Sequence, residues 1–289
     1  MSALERTGFR ERFSGLGPRV LSAVVFLPLL YWLGIRGGIG VALLINTAFA
    51  LAVHEWRAMA GARGRRFDVA LIYLGTLALL NLGFWPEQVH LLPWVLAGAT
   101  MVTAARRALT PPPDGMADDW AVSTTAFLYL GVLGSFLPRL LSFESQGPAG
   151  PIPDGAAAFF LLFVLAFATD SFAYFGGLLM GKTPLFPKVS PKKSREGLVG
   201  GMAGAALMAF GAASLFAPFL NPLHLAAFGA VAALVGQLGD LVESALKRDA
   251  GVKDASNVVP GHGGILDRLD SLLFIAPLLH FYLQWQSRI

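Results

Sequence analysis

The chain has 289 residues, of which 55% are hydrophobic and 14% charged, with a mean hydropathy of +0.62. Ordinary globular domains carry about 25% charged residues, so a soluble enzyme is excluded and a polytopic membrane protein is expected. The net charge is +4 and cysteine is absent, which excludes disulfides, thiolate catalysis and cysteine-ligated metals.

Nine apolar segments are long enough, or nearly so, to cross a bilayer. They cover residues 20–35, 37–53, 69–85, 89–105, 120–141, 156–180, 198–220, 223–246 and 265–285. The first follows Arg10, Arg12 and Arg19 as a secretory leader would. No small-x-small cleavage site follows it, and eight more segments do, so it reads as an uncleaved first helix. The segment at 37–53 runs into His54-Glu55-Trp56-Arg57. It has no second histidine at the spacing of a zinc-protease motif and reads as an interfacial belt. The third and fourth segments are short and broken by Asn81, His90 and Pro93. Residues 106–119, with three prolines and three aspartates, read as a flexible linker with Asp118 and Asp119 in solvent. Glycine and alanine recur in the seventh and eighth segments, as close helix packing in a membrane requires.

Placing the N-terminus in the cytoplasm and alternating puts 19 of the 22 Lys and Arg on the cytoplasmic side and leaves only Arg36, Arg139 and Arg288 outside. The +4 charge is then a basic rim suited to anionic headgroups and soluble phosphates rather than to nucleic acid. The expected fold class is all-α: a polytopic integral membrane protein of about nine helices with a cytoplasmic N-terminus. Residues 1–150 form an N-terminal transmembrane region of five helices. Residues 151–289 form a C-terminal catalytic region of four helices whose site faces the cytoplasm.

Ionisable residues within apolar spans mark functional sites. Asp170 is expected to be buried in the sixth span, as a structural hydrogen-bonding group or a functional one. Gly176–Thr183 fits the P-loop expression, but it closes a membrane helix instead of following a strand, and Pro184 comes next, so the match is rejected. The basic loop 181–196 holds Ser190-Pro191-Lys192-Lys193-Ser194, two lysines between two hydroxyls. Ser194 and Glu196 could cap the next helix, and a phosphate could sit there. In the eighth segment Gly236, Asp240, Glu243, Ser244 and Lys247 share one helical face. In the ninth, Gly263, Asp267, Asp270 and Ser271 do the same at its start. The loop between carries Arg248, Lys253 and His262. Asp240 and Asp267 could share a divalent cation, with carboxylate oxygens suited to Mg²⁺ and Asp170 and Asp270 in support. Gly263 and Gly264 would let backbone N–H groups approach a phosphate. His262 could donate to that phosphate or be a hydrogen-bonded loop residue.

Ser244, Lys247-Arg248, Lys253-Asp254, His262-Gly263-Gly264, Asp267-Arg268 and Asp270 together resemble the signature of the CDP-diacylglycerol synthases, or phosphatidate cytidylyltransferases. Upstream, Asp170-Ser171, the stretch from Ser190 to Ser194 and Glu196-Gly197 are similar to the same family. Ser194 stands where threonine is common, and Val259 where isoleucine or leucine is usual. The resemblance covers residues 170–270 and reaches the N-terminal half only as a hydrophobic polytopic region. It implies condensation of CTP with phosphatidate to CDP-diacylglycerol and pyrophosphate, with Mg²⁺ and a second, monovalent cation such as K⁺. It also implies that metal-bridged Asp240 and Asp267 clamp the phosphates. Lys192, Lys193, Lys247, Arg248, Lys253 and Arg268 would supply positive charge, with Ser190, Ser194, Ser244, His262, Gly263 and Gly264 lining the substrates. The implied setting is a bacterial inner membrane. The implied partners are CTP, phosphatidate of the cytoplasmic leaflet and membrane lipids, with no nucleic acid and with room for a homodimer. The rival reading is an ion- or proton-coupled transporter using the buried acids.

Overall fold

Helices account for nearly all of the secondary structure. The structure, a computed structural model, describes residues 28–112, 114–256 and 263–288. Arg6, Arg10, Arg12, Arg19, most of the first expected segment, and His262 lie outside the described residues.

A helical stretch over residues 28–36 leads into α1 (Gly38–Ala62). After it come α2 (Val69–Gly83), a 3-10 turn (Pro86–Leu91) and α3 (Leu92–Ala108). Helix α4 (Met116–Ala126) continues through a π-helical segment (Phe127–Leu133) into α5 (Phe136–Leu141). The C-terminal half holds α6 (Asp154–Met180), a hairpin of β1 (Pro184–Phe186) and β2 (Ser190–Ser194), α7 (Arg195–Leu215), α8 (Pro222–Asp249) and α9 (Leu266–Gln286). Among the described residues six helical stretches are long and apolar enough to cross a membrane. Helix α2, at 15 residues, spans only about 22 Å against a hydrocarbon core of about 30 Å. Helix α9 opens on Asp267, Arg268 and Asp270 and is not one of the six. The chain is thus an all-α multi-pass membrane protein.

The basic segments converge on one end of the helices. Arg63 after α1 pairs with Asp249 at the end of α8 at 2.6 Å. Arg65 pairs with Asp118 at 2.7 Å, and Arg107 at the end of α3 with Asp119 at 2.8 Å. The β hairpin and the start of α9 lie at this end too, through Lys193–Asp240 and Lys247–Asp267.

Small residues set how closely the C-terminal helices approach. A Cβ on Gly197, Gly200 or Gly201 of α7 would stand 2.8–3.0 Å from the carbonyl oxygens of Ala173, Phe172 and Thr169 of α6. Gly229 of α8 meets Ala205 O of α7 in the same way, at 2.8 Å. This is the close backbone packing anticipated from the composition of those segments. The rejected P-loop stretch belongs here: Gly176 and Gly177 are helical and face Gly197 and Gly200.

Two expectations for the N-terminal half fail. Asp119 is 4% exposed, because it takes the Arg107 guanidinium and the Arg66 amide (3.1 Å) together. The linker 106–119 is tied down, since Arg107 also donates to the carbonyls of Thr110, Pro112 and Asp114. The polar composition there serves an internal network.

Candidate functional site

Gly239 is where the site begins. A Cβ at Gly239 would stand 2.5 Å from the Asp270 carbonyl oxygen, so glycine lets α8 and α9 touch at this level. The next residue on α8, Asp240, is thereby brought beside Asp270. Asp240 accepts from Ser244 Oγ at 3.2 Å, one turn along the same face. Its other oxygen contacts Lys193 Nζ at 2.5 Å. Lys193 alternates with Lys192 on β2, so Lys193 turns inward while Lys192 is exposed. The buried Lys193 Nζ has no well-aligned acceptor, so its bond to Asp240 is a close charge contact.

Asp170 completes this group. It lies within electrostatic reach of Asp240, Lys193 and Arg268, and Asp270 within reach of Asp240, Asp170 and Lys193. Asp170 lies within the sixth span, its carboxyl crowded by surrounding protein while part of the side chain stays accessible. Thr169, Ala173 and Gly176 form the face of α6 that meets α7, which turns Asp170 away from that contact and toward the charges. Three carboxylates from α6, α8 and α9 therefore surround one lysine from the hairpin.

A second group adjoins the first. Lys247 Nζ lies 2.5 Å from Asp267 Oδ1 and 2.6 Å from Glu243 Oε2. The other Asp267 oxygen accepts from Gly264 N at 2.8 Å and Ala255 N at 3.3 Å. The sequence reading put Asp240 and Asp267 on one cation. The structure joins each to its own lysine and gathers Asp170 and Asp270 around Asp240. A shared helical face was legible, but the crossing of α8 and α9 decides which acids meet. The N–H groups expected to await a phosphate near Gly264 are already bonded: Gly264 N to Asp267, Ile265 N and Leu266 N to Glu55.

Glu55 is a buried acid beside the site that sequence reasoning passed over. It is 1% exposed and Trp56 is 4% exposed, so neither belongs to an interfacial belt. Its signal was present in the chain: a lone acid inside an apolar helix, the same feature that singled out Asp170.

The remaining expected residues lie around these two groups. Ser190 is half-buried, while Arg248, Lys253 and Arg268 are exposed at the rim of the site. Ser194 caps α7 by accepting from Gly197 N at 3.0 Å, as anticipated. Glu196, in the first turn of α7, accepts from its own amide and also from Lys182 N and Thr183 N at 3.1 and 3.2 Å, so it pins the loop before the hairpin to the helix start. A cavity of about 400 Å³ lies elsewhere, between α2, α3 and α4, lined by Arg66, Arg106, Arg107 and Asp119. Its guanidinium groups are bonded to Asp68, Asp119 and backbone carbonyls, which leaves it a structural crevice.

Such an array suits polyanionic phosphates. Ammonium groups held by carboxylates can turn to a phosphate, and exposed cations at the rim can gather one. Among the described residues no three Asp, Glu or His side chains converge as a closed metal cage. Mg²⁺ needs no such cage: it takes one or two carboxylates, keeps several waters and fills the rest of its shell from substrate phosphate.

Residues 17–286 match the model of the cytidylyltransferase family. The phosphatidate cytidylyltransferase of Bacillus subtilis is 40% identical over 169 residues, covering 57% of this chain and 59% of that protein. That of Staphylococcus aureus (strain COL) is 29% identical over 273 residues, covering 91% and 96%. That of Thermotoga maritima is 43% identical over 133 residues, covering 43% and 48%.

Proposed function

The chain belongs to the cytidylyltransferase family, and on that premise we propose that the cluster around Lys193 and Asp240 is where it joins CTP to phosphatidate. The products are CDP-diacylglycerol and pyrophosphate. The observation that carries this reading is the meeting of three carboxylates and a lysine from four separate elements at the basic end of a membrane bundle. The transporter alternative finds no support among the relatives.

In this reading a phosphatidate phosphate oxygen attacks the α-phosphorus of CTP. The new P–O bond forms as the bond to the β-phosphate oxygen breaks, and pyrophosphate leaves. Phosphatidate is already anionic at neutral pH, so no base is required. Positioning and neutralisation of charge carry the rate. Lys193 and Lys247 exchange a carboxylate partner for a phosphate. Lys192, Arg248, Lys253 and Arg268 hold the outer phosphates from the rim. Asp240, with Asp170 and Asp270 beside it, would hold Mg²⁺, and Asp267 could join them only when Lys247 leaves its Oδ1. When bound, Mg²⁺ neutralises and orients the triphosphate. The basic end faces the cytoplasm, which supplies CTP, and the bilayer supplies the lipid. Residues 151–289 thus carry the chemistry, and residues 1–150 support it.

The test is purified protein with phosphatidate, Mg²⁺ and each of CTP, ATP, GTP and UTP, with and without K⁺. CDP-lipid and pyrophosphate should form in equal amounts with CTP. No CDP-lipid, or equal turnover of all four nucleotides, would refute the reading.

A further inference from the structure

We propose that Glu55 is a positioning residue for cytidylyl transfer, a carboxylate from the N-terminal half that fixes the start of α9 and with it Asp267, Arg268 and Asp270. The inference rests on the reading of the reaction given above.

Both Glu55 oxygens are engaged. Oε1 accepts from Ser256 Oγ at 2.5 Å and from Ile265 N at 2.9 Å, and Oε2 accepts from Leu266 N at 2.7 Å. The first amides of a helix have no partner within it, and its N-terminus favours an anion. Here the anion comes from a residue some two hundred positions earlier in the chain. Asp267 takes the preceding amide, that of Gly264. Three successive N–H groups are thus shared between a carboxylate of α9 itself and one of α1. Space for this is provided by Gly264: a Cβ there would stand 2.8 and 2.9 Å from the two Glu55 oxygens.

Holding α1 in place does not require this charge. Phe49, Val53 and Trp56 are already buried in the core, with Trp56 against Tyr129 and Tyr129 against Phe274 of α9. A buried carboxylate is costly to desolvate, and a well-packed apolar residue would hold two helices at least as firmly. What the carboxylate adds is direction. It fixes the rotation and height of the α9 start to hydrogen-bond accuracy, and it ties Ser256 to the same point. Asp267 lies one residue beyond Leu266, and Asp270 one turn beyond that.

Glu55→Gln keeps the shape but sets an NH₂ group against amide or hydroxyl donors. A misplacement of about 1 Å at the reacting groups costs about a hundredfold, so kcat should fall by about that factor, with the KM for CTP changing less than about threefold. Amide hydrogen exchange at Ile265 and Leu266 should rise. Glu55→Asp, which keeps the charge but draws it back, should fold normally, lose about tenfold in kcat and stay above Glu55→Gln. Gly264→Ala should impair the native chain yet add little in a Glu55→Ala background, where the Cβ has room. Folded Glu55→Gln with native kcat and native exchange would overturn the proposal, as would additive effects of Gly264→Ala and Glu55→Ala. If Glu55→Gln does not fold, Glu55→Asp decides: native kcat overturns the proposal and a reduced kcat supports it. A native chain that makes no CDP-lipid would instead overturn the reading of the reaction, while exchange at residues 265 and 266 still tests Glu55.

Discussion

The two halves of the molecule treat charge in opposite ways. In the N-terminal half three acids at the basic end each answer an arginine: Asp68 to Arg106, Asp118 to Arg65, Asp119 to Arg107. These pairs brace loops. In the C-terminal half Asp170, Asp240 and Asp270 crowd a single lysine, and Lys247 is shared by Glu243 and Asp267. Like charges brought together repel, and a fold retains them where a cationic or polyphosphate ligand offsets the cost. The lesson is that internal matching of charge, more than its burial, separates bracing from chemistry in this chain.

The largest effect should follow from breaking the crowded side. Lys193→Ala removes the lysine among the three acids and should lower kcat/KM by about a thousandfold, as loss of a transition-state charge does, in protein that still folds. Native kcat/KM in folded Lys193→Ala would remove the lysine from the site. The matched side should respond in the opposite sense. Asp119→Asn leaves the buried Arg107 unpaired and should cost about 3 kcal/mol of stability, with turnover per folded molecule unchanged. Thermal melts and turnover measured on one preparation check both parts, and a loss of turnover beyond the loss of folded protein would blur the division between the halves.

Much of this division was legible in the chain. Periodicity alone put Asp240, Glu243, Ser244 and Lys247 on one face, and Ser194 read as a helix cap. Partner choice was not legible. Asp240 and Asp267 looked equivalent, and only the Gly239 contact with Asp270 shows that Asp240 belongs with Asp270. Asp119 looked solvated, because a sequence does not say that Arg107, at the end of another helix, will reach it. Glu55 carried its own signal, an acid in an apolar helix, but its partners, two backbone amides and the Ser256 hydroxyl far along the chain, were not legible.

Two smaller effects sharpen the contrast. Arg248 is exposed and its only described bond, 3.3 Å to Val252 O, is weak. Arg248→Ala should raise the KM for CTP or phosphatidate about tenfold, the value of one charge-assisted phosphate contact, with no change in melting temperature. Unchanged kinetics at limiting concentrations of both substrates would take Arg248 out of the rim. Arg63 pairs with Asp249 near the surface, where an ion pair contributes less than about 1 kcal/mol, so Arg63→Ala should barely move either stability or turnover. A shift of several degrees in melting temperature would show that this contact between the halves carries more than its exposure implies.

The most direct test is a Mg²⁺ titration of turnover in Asp240→Asn, with the folded fraction measured alongside. The amide keeps the size of the side chain and removes the charge that Lys193 and a cation would share. The account predicts well-folded protein with almost no CDP-diacylglycerol formed at any Mg²⁺ concentration. Near-native turnover in the folded variant, at the Mg²⁺ concentration the native chain requires, would contradict it.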